Sequence, residues 1–216
     1  MSNLTKKIET QLRKNYQQPL LQNQAQGIWY TGADLLEDLT LCRTSLQQQA
    51  VQPGQAILIS TTNPAPIPAL LLASWQLGLT VTLAPPTTEL PALPLKRYAA
   101  MVYSAPQTLQ LMQQIDPQEI SHLTLLLNTA PDFAYFVHDL APLTTVATAP
   151  ALILPISQTV ISQDELLTAV TAHNWPVTIS DLYDLTTGIL PLLANLLNPT
   201  PGSLAPAGEL SPLTNF

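Results

Sequence analysis

The chain has 216 residues, with 7 Lys and Arg against 14 Asp and Glu, a formal charge of -7 and 46% hydrophobic residues. A chain of this length buries roughly 70% of the surface its unfolded form exposes, so it needs no disulfide or metal staple. Cys42 stands alone, which excludes a disulfide framework. No apolar run reaches the roughly 18 residues of a membrane span, and the opening MSNLTKKIET lacks the apolar stretch of a secretory signal, so a cytoplasmic location is expected.

Charge and glycine are unevenly placed. All seven cations (Lys6, Lys7, Arg13, Lys14, Arg43, Lys96, Arg97) lie in residues 1–97 beside five acids, whereas residues 98–216 hold nine acids and no Lys or Arg. Polyanions are bound by neutralising their phosphates with cations, so neither nucleic acid nor an anionic membrane is expected as a partner. No Gly falls between Leu79 and Thr187, so the middle of the chain lacks the residues of a phosphate-cradling loop.

In chain order, Leu4, Ile8 and Leu12 recur at helical spacing among Lys and Gln and predict an amphipathic helix within residues 1–16. Gln17 to Gln26 reads as a link and Gly27–Tyr30 as a brief strand. Thr31 and Asp34 have capping-box spacing ahead of a helix from about Ala33 to Gln49. Ala56–Ser60 is apolar enough for a strand buried on both faces. Asn63 and Pro64 predict the start of a helix running to Leu77, and Gly78 stops it. Leu79–Leu83 is the next strand, completing a βαβ unit with a parallel sheet. Ala84–Leu95 is connection, Met101–Tyr103 strand, Pro106–Gln114 helix and Leu123–Leu127 strand. Residues 131–150 read as irregular or as a short strand around Phe133–Val137. Ala151–Leu154 is a strand. Ser162 and Glu165 form a second capping-box spacing before a helix to about His173. A last helix spans about Asp181 to Leu197, and the Pro-rich tail 198–216 is expected to be extended and loosely held. The expected fold is α/β: one layered domain over residues 1–197, with a mostly parallel sheet flanked by helices.

The ordered segments Trp29-Tyr30-Thr31-Gly32-Ala33-Asp34-Leu35-Leu36, Val51-Gln52-Pro53-Gly54-Gln55-Ala56-Ile57-Leu58, Asn63-Pro64 and Ala73–Leu83 together resemble the start of an AMP-forming acyl-CoA synthetase or adenylation domain. Ala151–Leu154 resembles the strand before that family's phosphate loop, and Val160–Leu167 the segment after it. The resemblance implies a Thr/Ser/Gly-rich loop ending in P-K-G between them. Pro155-Ile156-Ser157-Gln158-Thr159 stands there instead, with neither Gly nor Lys. Ile179–Leu190 resembles the family's acyl-pocket helix start, with Asp184 where the family has His. The family's Y-G-x-T-E adenine motif, T-G-D ribose contact and lid lysine do not occur in these 216 residues.

Candidate residues follow from this. Ser157, Gln158, Thr159 and Ser162 mark a degenerate phosphate-loop region, with a turn and a helix N-cap as the plain reading. Tyr183, Asp184 and Gly188 mark a residual acyl pocket, with Trp75 and Tyr183 as ordinary core the simpler alternative. His122, His138 and His173 show no metal-ligand spacing, and His138-Asp139 reads as a surface loop pair. Cys42 reads as core filling. No catalytic residue, metal or cofactor is expected. The resemblance then implies a truncated, non-catalytic relative acting as a binding or interaction module. Its expected partners are an acyl-carrier protein, a pathway enzyme or a second copy. One half of a split ligase and a small acyl or nucleoside binder are the alternatives.

Overall fold

The computed structural model describes residues 3–87, 93–103, 105–138 and 151–206, of which 105–109 by their backbone alone. The chain forms a mixed α/β fold with two sheets. The large sheet has seven strands: β3 (Ala56–Ser60), β4 (Thr80–Leu83), β5 (Tyr98–Tyr103), β6 (Ile120–Leu125), β7 (Phe133–His138), β8 (Leu152–Leu154) and β9 (Thr159–Ile161), in the order β6-β7-β5-β3-β4-β8-β9. Its four central strands, β5, β3, β4 and β8, run parallel, while β6–β7 and β9 add antiparallel flanks. A small sheet orders β10 (Thr178–Ile179), β11 (Gly202–Leu204), β1 (Pro19–Asn23) and β2 (Ile28–Thr31).

The expected βαβ unit is β3, α3 (Ile67–Gln76) and β4, paired in parallel from Ala56 opposite Thr80. Every α3 residue from Ile67 to Trp75 is buried, as a helix apolar all round requires. The helix begins three residues after the expected start. Asn63 Oδ1 accepts from Ala65 N at 3.1 Å and closes a turn, and with Pro64, Pro66 and Pro68 supplying no N–H the helical ladder starts late.

Helix α2 (Gly32–Gln48) starts on the predicted box. Thr31 Oγ1 accepts from Asp34 N at 3.3 Å, and Asp34 Oδ2 accepts from Thr31 N at 2.7 Å. Leu4, Ile8 and Leu12 of α1 (Asn3–Lys14) are all buried, so the predicted amphipathic face packs into the main core beside α2, α5 (Gln163–Ala172) and α6 (Leu190–Leu197). The opposite face of the large sheet, with Leu58, Met101 and Phe136, is covered by Leu111 and Ile115 at the end of α4 (Ala105–Gln114).

Several expectations are corrected. The Gln-rich link contains β1, whose Leu20 and Leu21 are buried. The tail is not loose throughout: Gly202–Leu204 inserts between β1 and β10, parallel to both. The last helix starts at Leu190 after a π-helical turn Leu185–Ile189, because the Asp184 side chain accepts from the N–H groups of Thr186 and Thr187. Strand β9 was not expected, and neither was β10. Residues 88–92 of the expected Pro-rich connection, and 139–150 and 207–216, lie outside the described residues. Among the described residues no helix is long and apolar enough to cross a membrane.

Candidate functional site

At the carboxyl end of β8, where the resemblance calls for a phosphate loop, the chain turns straight back into β9. Leu152 pairs with Ile161 and Leu154 with Thr159, and Gln158 N donates to Pro155 O at 3.3 Å across the turn. The exposed Ile156 occupies the turn, and Gln158 sits at φ 53°, a left-handed position unusual for a residue with a side chain. Ser157 Oγ and Thr159 Oγ1 are 2.8 Å apart and bond each other. Ser162 caps α5: its hydroxyl donates to Glu165 Oε2 at 2.7 Å and accepts from Glu165 N, while its own N–H reaches Oε2 at 2.8 Å. The backbone bond from Ser162, and then its hydroxyl, hold the Glu165 carboxyl below its ordinary value. That helix N-terminus already carries an anion of its own. A tight hairpin with an apolar residue in its turn has no concavity of N–H groups for a triphosphate.

The three acyl-pocket candidates lie together on the segment before α6. The Tyr183 hydroxyl donates to Thr61 O at 2.5 Å and accepts from Thr61 N at 3.3 Å, clasping the residue just after β3. Burial pushes its phenol well up despite the bond to Thr61. Asp184 Oδ1 gathers both N–H groups and both hydroxyls of Thr186 and Thr187, at 2.8 to 3.0 Å, and the Thr187 N–H leads in holding its carboxyl low. At Gly188 a Cβ would stand 1.8 Å from Asp181 O, so only glycine lets these two backbones meet. All three residues therefore have structural duties, Asp184 and Gly188 within the segment and Tyr183 across to the end of β3.

A concave site does exist, between the carboxyl ends of β3 and β5. It is a crevice of about 340 Å³. From β3 the chain crosses to β4 on one side, and from β5 it proceeds to β6 and β7 on the other, which makes this gap the switch point where open α/β sheets place ligands. Thr61 and Asn63 form the β3 side, and Val102 and Tyr103 the β5 side. His122 on β6 stacks on Phe136 of β7 with ring centroids 4.9 Å apart, and Asp132 stands at the start of β7. The Tyr103 side chain is 8% exposed and its hydroxyl has no hydrogen-bond partner among the described residues. Such a buried, unpaired polar group costs about 1–3 kcal/mol. Burial, with Tyr98 nearby, pushes its phenol up.

The far wall is held from α2. Asp38 is wholly buried, and its carboxylate accepts from Asn128 N at 2.7 Å, Thr129 N at 2.9 Å and Thr129 Oγ1 at 2.6 Å. Asn63 Nδ2 donates to Thr129 O at 3.4 Å from the other side. The loop leading to Asp132 is thus tied to both α2 and the end of β3.

The remaining candidates are placed simply. Trp75 Nε1 donates to Ala151 O at 2.8 Å, which fastens α3 to the start of β8. Cys42 is buried on α2, where burial pushes its thiol up and away from reactivity. His173 is exposed, edge-on to Trp175. His138 is no surface residue: it is the buried end of β7, on the same strand face as Phe136, 3.6 Å from Glu119 Oε2. Asp139 lies outside the described residues. Tyr103, Asp132 and Phe133 are not among the residues the sequence marks as a site: Met101–Tyr103 and Phe133–Val137 read only as strands.

No family profile and no curated protein matches the sequence. Solved structures do match by shape. The N-terminal domain of FACL13 from Mycobacterium tuberculosis is similar with a TM-score of 0.66 and 11% identity, over 97% of this chain and 58% of that one. Coronafacic acid ligase from Pectobacterium brasiliense gives 0.64 and 15%, over 94% and 45%. The N-terminal subdomain of NpsA from Klebsiella oxytoca gives 0.56 and 15%, over 94% and 54%. The chain spans about half the length of these structures. With a seven-stranded sheet that is parallel at its centre and flanked by helices, the chain has the fold of the N-terminal domains of AMP-forming acyl-CoA synthetases and adenylation ligases.

Proposed function

We propose that this chain is a non-catalytic, acyl-CoA synthetase-like binding module: it keeps the ligand-binding end of the parallel sheet and forms no adenylate. The observation that carries the reading is the β8–β9 hairpin, a four-residue turn from Pro155 to Gln158 where a phosphate loop would wrap ATP. Acyl adenylation builds negative charge at the α-phosphate, and that charge is met by preorganised donors and cations. The turn offers neither, and no Lys or Arg occurs anywhere in residues 98–216. The crevice between β3 and β5 supports the binding half of the proposal, since it is preformed and stands at the ligand end of the sheet. An acyl-carrier protein, a pathway enzyme or a second copy is the proposed macromolecular partner, and the cytoplasm the proposed location.

The test is carboxylate-dependent ATP–pyrophosphate exchange by the purified chain, over a panel of fatty, aromatic and amino acids. No exchange is expected. Exchange by the chain, alone or together with a co-expressed polypeptide supplying the rest of a ligase, overturns the proposal in favour of one half of a split ligase.

A further inference from the structure

We propose that the crevice between β3 and β5 binds a small organic amine with a flat apolar body, an inference that rests on the binding reading above. Three features carry it. The crevice holds about 340 Å³, near the lower end of small-molecule sites, so its occupant is compact. Its charge has one sign. Asp132 is exposed and makes no ion pair among the described residues, and no Lys or Arg lines the crevice. A carboxylate, phosphate or acyl-adenylate placed there meets a like charge with no cation to offset it, whereas an ammonium group gains a partner. Third, aromatic surface lies beside that charge. The His122 and Phe136 rings are stacked, with His122 exposed, and such rings accept both a flat apolar body and a neighbouring cation.

Tyr103 supplies the remaining group. Its side chain lines the crevice and its hydroxyl, closed to solvent, has no hydrogen-bond partner among the described residues, so a ligand group that reaches it as the wall gives way satisfies an atom the free protein leaves without a bond. The ammonium group sits toward Asp132 at the open rim, and the apolar body lies along the His122 and Phe136 rings. No chemical step is involved, since the site holds no nucleophile beside a base and the proposal is one of recognition.

The test titrates the full chain with three probes of one shape, phenethylamine, 2-phenylethanol and 3-phenylpropionate, each to about 10 mM because small ligands of this size bind weakly. Binding is read from amide chemical shifts. Phenethylamine is expected to give saturable shifts confined to Thr61–Asn63, Tyr103 and residues 122–136, roughly tenfold tighter than the other two. Asp132→Asn should abolish that preference for the amine. Tyr103→Phe should weaken binding several-fold while leaving the melting point unchanged or raised, because it removes an unsatisfied group. Asp132 is exposed, so its substitution leaves a folded protein to measure. Absence of saturable phenethylamine binding overturns the inference. So does equal or tighter binding of 3-phenylpropionate, or an amine preference that survives Asp132→Asn. None of these outcomes bears on pyrophosphate exchange, so failure of this inference and failure of the non-catalytic reading remain distinguishable.

Discussion

The buried carboxylate of Asp38 takes both the N–H and the hydroxyl of Thr129, at 2.9 and 2.6 Å, and so pins the loop that carries Asp132. Asn128 adds its own N–H to the same carboxylate, so one side chain from α2 replaces the secondary structure this loop lacks. Asp38→Ala leaves buried donors unpaired and should cost about 3 kcal/mol or more. For a domain of this size that lowers the melting point by roughly 6 to 12 °C, measurable by calorimetry. The same variant should loosen the crevice wall, seen as faster amide exchange at residues 127–132.

Gly188 is a packing glycine and not a flexible one. A methyl group there would stand 1.8 Å from Asp181 O and 2.5 Å from its carbonyl carbon, both backbone atoms that have no rotamer to escape into. Gly188→Ala should destabilise by about 2–3 kcal/mol, as overpacking does, and a urea titration checks it. A neutral result means that the Asp181–Gly188 contact is not as close as described.

The phenols set the alkaline limit of stability. Tyr183 and Tyr103 are both pushed up from the ordinary value of 10.0, chiefly by burial, and so are Tyr98 and Tyr135. The unfolded chain therefore loses these protons at lower pH than the folded one. Their contribution to stability is fully present below about pH 10 and is lost as pH rises through their raised folded values. Melting points measured from pH 7 to 11 should hold level and then drop steeply above about 10. Tyr183→Phe should lower the neutral-pH melting point, through loss of the clasp on Thr61, and flatten the alkaline fall.

The turn that stands in place of a phosphate loop has its own signature. Gln158 lies at φ 53°, where glycine is unstrained. Gln158→Gly should therefore stabilise the chain by about 0.5–1 kcal/mol, offset in part by the added freedom of the unfolded state. It should not confer nucleotide binding. A stability loss on this substitution contradicts the described turn.

Those elements whose pattern is local were legible in the sequence. Ala56–Ser60 is apolar on both faces and forms β3 as expected, and the Thr31/Asp34 and Ser162/Glu165 boxes form with both reciprocal bonds. Elements fixed by distant partners were not legible. The polar residues around Leu20 and Leu21 give β1 no strand pattern; it pairs with β2 on one side and on the other with Gly202–Leu204, some 180 residues away, which buries it inside a sheet. The start of α6 was misplaced because Asp184 spends its side chain on a π-helical turn, a choice that no periodicity reveals. The candidate site followed the same rule. The altered phosphate loop was visible as missing Gly and Lys in one short stretch, whereas the crevice draws Asn63, Tyr103, His122 and Asp132 from four segments that only the folded sheet brings together.

The central claim, that the β8–β9 hairpin does not hold a nucleotide, is tested most directly by titrating Mg-ATP into the isotopically labelled chain and following the amides of residues 155–162. The account predicts no saturable shift in that segment up to about 5 mM, a concentration far above that of a built triphosphate site. Saturable shifts at Ser157, Gln158 and Thr159 would contradict it.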